Sequence, residues 1–64
     1  MPTNTDPSAL AETQLRAHEA KLAEYKRLEA AAGDAPASGP LLALQAGIGH
    51  EREWIRFWSK VRKA

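Results

Sequence analysis

Two stretches of the chain repeat apolar residues at intervals of three and four, and a short segment rich in Gly, Pro, Ser and Asp separates them. The first stretch is built mostly from Ala, Leu, Glu, Lys, Arg and Gln, which cost least in a helix, and its interior holds no Gly or Pro. The pattern predicts a helix over 7–32. Asp6 offers a side-chain oxygen as N-cap, Pro7 suits the first helical position because its missing N–H is no loss there, and Gly33 offers a C-cap. The connection 33–39 has the length that joins antiparallel helices. A second helix is predicted over 40–62, opened by Pro40, capped by Ser38 or Gly39, and closed by Lys60, Arg62 and Lys63 near the negative end of its dipole. The expected fold class is all-α, an antiparallel helical hairpin.

At 100° per residue the first helix gathers Leu10, Leu28, Tyr25, His18, Ala11, Leu22 and Leu15 into an arc of about 140°. Its central seam, Leu15, His18, Leu22 and Tyr25, has coiled-coil-like spacing over about two heptads. The second helix differs. Phe57, His50, Val61, Trp54, Gly47 and Trp58 fill one sector, and Leu44, Ile55, Ile48 and Leu41 fill the next, so the apolar arc spans about 220°. A single partner helix screens about one such sector. The other sector is expected to meet a second chain, because an exposed apolar patch of that extent is uncommon on a soluble monomer. The predicted assembly is therefore a homodimeric four-helix bundle. Its interface takes the seam of the first helix and Leu44, Gly47, Ile48, Glu51, Trp54, Ile55, Phe57, Trp58 and Val61 of the second.

Length and composition point the same way. A chain of 64 residues buries a small fraction of its surface, and with no Cys and two His it has neither disulfides nor a Cys/His cluster to compensate. Association with another chain is the usual remedy, and no cofactor or metal is expected. Residues 1–6 are polar and expected to be disordered, with no basic and apolar pattern of a signal peptide. The longest apolar run, Leu41–Leu44, is far short of the roughly 20 residues a membrane span needs. A cytoplasmic protein with no membrane contact is expected. The net charge of +1 argues against direct nucleic-acid binding. Arg52, Arg56, Lys60 and Lys63 are read as a solvated face, interspersed with Glu51 and Glu53.

Candidate chemistry is sparse. His50-Glu51-x-x-Trp54 begins like a zinc-protease helix, but Trp54 stands where the second His must be. No nucleophile or second carboxylate accompanies Glu51, so no enzyme activity is expected. Glu51 falls inside the apolar arc and needs a partner there; His18, Arg62, Tyr25 and a capping contact across the dimer are the candidates. Trp54 and Trp58, four residues apart, are read first as packing residues and second as walls of a pocket for a planar aromatic ligand. Gly47 and Gly49 each cost about 1 kcal/mol relative to Ala in a helix interior. With Ala43, Gly47 makes a small-residue strip that admits another helix or a bulky ring such as Tyr25; a kink or a later helix start is the alternative.

The run Leu44-x-x-Gly47-Ile48-x-x-Glu51, followed by Trp54 and Trp58 and preceded by a helix holding Lys21-Leu22-Ala23-Glu24-Tyr25, resembles the C-terminal dimerisation domain of PadR-type transcriptional regulators, also called the virulence-activator-alpha C-terminal domain. The resemblance covers about residues 12–62. It implies a dimerising helical pair, with planar effectors near the interface in some members, which maps here onto Trp54 and Trp58. The family's winged-helix DNA-binding domain has no counterpart in these residues. An excised domain and a stand-alone protein that forms a mixed dimer with a PadR-type regulator are both compatible with this pattern.

Overall fold

The computed structural model describes residues 6–64 as two α-helices, α1 (Pro7–Ala32) and α2 (Gly39–Lys63). The expected disorder of residues 1–6 falls, apart from Asp6, outside the described residues. Asp6 caps α1, its carboxylate accepting from the backbone N–H of Ser8 at 3.0 Å. At the other end Gly33 adopts φ 56°, a left-handed conformation that carries a steric penalty for any residue with a Cβ, and its N–H reaches the carbonyl of Ala30.

Ser38 is the N-cap of α2, its hydroxyl accepting from Leu41 N–H at 3.2 Å. The second helix takes in Gly39 and Lys63, one residue beyond the expected 40–62 at each end. Gly39 is helical because the extended Ser38 has already turned the chain and Pro40 follows within the first turn. α2 runs unbroken from Gly39 through Gly47 and Gly49, so the later helix start does not occur.

The hairpin is antiparallel. Glu12 meets Arg62, His18 meets Glu51 and Tyr25 meets Gly47, so the number on α2 falls as that on α1 rises. Between the helices Ala11, Leu15 and Ile48 are buried, and around them Leu22, Tyr25, Leu41, Leu44 and Ile55 are half-buried. That seam is the whole core of the described residues. No helix among them is long and apolar enough to cross a membrane.

Candidate functional site

Of the two sectors on α2, the hairpin mate covers one. Ile48 is buried, and Leu41, Leu44 and Ile55 are half-buried beside it, whereas Trp54 and Phe57 keep 47% and 51% of their surface in solvent. The same flank of the hairpin continues onto α1. Leu10, Gln14, His18, Trp54 and Trp58 line an open groove of about 410 Å³, and beyond Trp54 a second cleft of about 370 Å³ is walled by His50, Glu53, Trp54 and Phe57. Leu28 lies 18 residues after Leu10, five full helical turns, and therefore at the same azimuth; both are about half exposed.

Aromatic rings organise this flank. Trp54 and Phe57 meet edge to face at 6.2 Å, Phe57 and Trp58 at 4.9 Å, and the His18 imidazole stacks on the Trp54 indole at 5.7 Å with 13° between planes. The Nε1 donor of Trp58 is enclosed and has no acceptor among the described residues. Such a donor carries a desolvation cost of about 1–3 kcal/mol.

Glu51 is buried, and its carboxylate is 2.6 Å from Nδ1 of His18. Of the candidate partners within the chain, His18 is the one used. Arg62 reaches Glu12 instead, at 3.0 Å, and Tyr25 lies against Gly47. The small-residue strip thus has an occupant: a Cβ on Gly47 would sit 2.9 Å from Tyr25 Cε2. Gly49, by contrast, faces open space.

The thirteen sequence-predicted interface residues divide by position. Leu15, Ile48 and Glu51 belong to the dry seam, and Leu22, Tyr25, Leu44, Gly47 and Ile55 to its half-buried margin. Trp54 and Phe57 stand on the open flank, with His18, Trp58 and Val61 half-buried at its edge. Leu10, Leu28 and Gln14 were not among the predicted interface residues. Leu10 and Leu28 sit at the margin of the α1 arc, and a polar Gln14 sends no hydropathy signal; the five-turn spacing of the two leucines was the available clue. Among the described residues no group of three or more His, Cys, Asp or Glu side chains is placed to hold a metal ion.

A family model for the virulence activator alpha C-terminal domain matches residues 5–64. The chain belongs to this family. The match takes in both helices and the connection between them, so the whole hairpin is the virulence activator alpha C-terminal domain, a regulator-associated helical domain. No curated protein and no solved structure gives a match to the chain. Within this virulence activator alpha C-terminal domain, the seam holds the hairpin together and the aromatic flank leaves Trp54 and Phe57 about half exposed.

Proposed function

We propose that this virulence activator alpha C-terminal domain is a non-enzymatic dimerisation module of PadR-type transcription regulation, pairing with a second copy through its aromatic flank to form a four-helix bundle. The half-exposed Trp54 and Phe57 carry the reading. Two large rings held in fixed edge-to-face geometry and left in water are costly on a monomer, and aromatic anchors are the residues that dominate association energies. An isologous contact also requires a self-complementary surface. Leu10 and Leu28 support one, since a two-fold axis at the level of residue 19, beside the His18–Trp54 stack, brings each leucine of one copy over the other leucine of its mate.

A mixed dimer with a longer PadR-type regulator uses the same flank, and such a pairing would tune that regulator without any DNA contact from this chain. Sedimentation velocity across a concentration series tests the module directly. The natural chain is expected to sediment as a dimer at micromolar concentration, and Phe57→Asp to weaken association by on the order of 30-fold or more. A folded monomer of the natural chain throughout that range overturns the proposal.

A further inference from the structure

The bond between Glu51 and His18 connects the seam to the open flank. Glu51 is 8% exposed, the most enclosed charged residue of the described chain. Its carboxylate holds His18 Nδ1 at 2.6 Å, the imidazole lies flat on Trp54, Trp54 meets Phe57 edge-on, and Phe57 meets Trp58. One unbroken set of contacts therefore runs from a buried carboxylate to three aromatic rings, two of them half in solvent.

Stability alone gives a poor account of that pair. Taking a carboxylate out of water is expensive, and replacing both partners of a buried polar pair by apolar side chains of similar volume is often neutral or stabilising. Orientation gives a better one. A carboxylate bonded to Nδ1 fixes which way the imidazole turns, and a flat ring held at one angle leaves the Trp54 indole one favoured stacking partner on a face that otherwise gives it room to move. A side chain already ordered in the free protein loses less freedom on association, an effect worth several-fold in affinity for each large side chain.

We propose that Glu51 and His18 are positioning residues for the aromatic flank: Glu51, from within the seam, holds the His18 ring, and the pair sets the orientation of Trp54 and through it the strength of self-association. This rests on the dimerisation reading above. It adds a separate claim, that the buried pair serves the surface rather than the seam.

The test is the double variant Glu51→Leu with His18→Leu, which keeps the seam apolar and filled, beside Glu51→Gln, whose amide oxygen still accepts from the imidazole N–H. For the double variant the thermal midpoint is expected to stay level or rise. Its dimer dissociation constant should increase about fivefold to tenfold, and the near-ultraviolet circular dichroism of the indoles should weaken even in dilute, monomeric samples. Glu51→Gln should hold its dissociation constant within about twofold and keep the indole signal. A double variant that associates as tightly as the natural chain, or keeps the indole signal intact, overturns the positioning role. So does one that fails to fold, because the pair is then a requirement of the seam. If the natural chain does not associate at all, the dimerisation reading fails by itself, and the indole signal in monomers still decides whether Glu51 and His18 orient Trp54.

Discussion

Ile48 and Trp54 stand less than two turns apart on the same helix, yet one is 4% exposed and the other 47%. Both are large and apolar; what separates them is azimuth. The side of α2 that carries Ile48 looks at α1, one residue along from Gly47 and its Tyr25 contact, while the side that carries Trp54 and Phe57 looks past α1 into solvent. A two-helix hairpin has one contact line to offer, so an apolar arc wider than that line leaves its remainder uncovered. The seam and the flank therefore have different tasks. Side chains in the seam hold two helices together, and side chains on the flank are available to something else.

The contrast is broken most sharply at Leu15. It is 2% exposed, and Leu15→Ala removes a packed side chain from a core of three buried apolar residues, at a cost of about 2–5 kcal/mol. A chain of this length has a total stability of roughly 3–10 kcal/mol at 0.05–0.15 kcal/mol per residue. The variant is therefore expected to lose most of its helical circular dichroism at room temperature or to melt many degrees lower. Leu10→Ala makes the same chemical change on the exposed flank and should cost about 1 kcal/mol or less in the monomer. Equal losses for the two leucines would show that flank and seam are one core.

Two glycines on α2 respond to the same substitution with opposite sign. Gly47 lies under the Tyr25 ring, and an added methyl would arrive 2.9 Å from Cε2, so the ring must shift. Gly49 has nothing within 4 Å. Gly→Ala in a helix interior gains about 1 kcal/mol from propensity alone. Gly49→Ala should collect that gain as a higher thermal midpoint. Gly47→Ala should lose it to overpacking, which costs typically 1–3 kcal/mol, and end neutral to destabilised. Thermal melts of the two variants side by side check the sign of the difference.

Most of the hairpin was legible in the residues because its signals are local. Asp6 before Pro7, Gly33 after an uninterrupted helical run, and Ser38 before Gly39-Pro40 each mark a helix end by the hydrogen-bonding capacity or backbone freedom of one residue. The need for a partner at Glu51 was legible too, since a carboxylate inside an apolar arc demands one. Which partner it takes was not: Arg62 lies about 16 Å along the same helix, and the choice between His18 and Tyr25 on the facing helix depends on a stagger that sequence periodicity leaves undetermined. The His18–Trp54 stack and the enclosed Trp58 Nε1 depend on rotamers across two helices, a level of detail that spacing along one chain does not encode. Helical wheels also treat an arc as uniform. They placed Leu10 and Leu28 on the α1 arc without showing that these two positions fall off its edge onto the open flank.

The smallest expected effect concerns one of the two polar side-chain contacts between the helices, which differ in surroundings. Arg62 meets Glu12 at 3.0 Å near the open end of the hairpin, with both side chains almost half exposed, whereas His18 meets Glu51 in the seam. An exposed pair holds two long side chains in one geometry and is screened by salt, so a double-mutant cycle of Glu12→Gln and Arg62→Gln should give a coupling of about 0.2–1 kcal/mol. Raising the ionic strength toward 1 M shortens the screening length to about 3 Å and should erase that coupling, while the enclosed Glu51 contact is shielded from the added ions. A coupling at Glu12–Arg62 that survives high salt would mean that this end of the hairpin is also covered from solvent, and in a chain whose own two helices leave it open, the cover would have to come from a second copy.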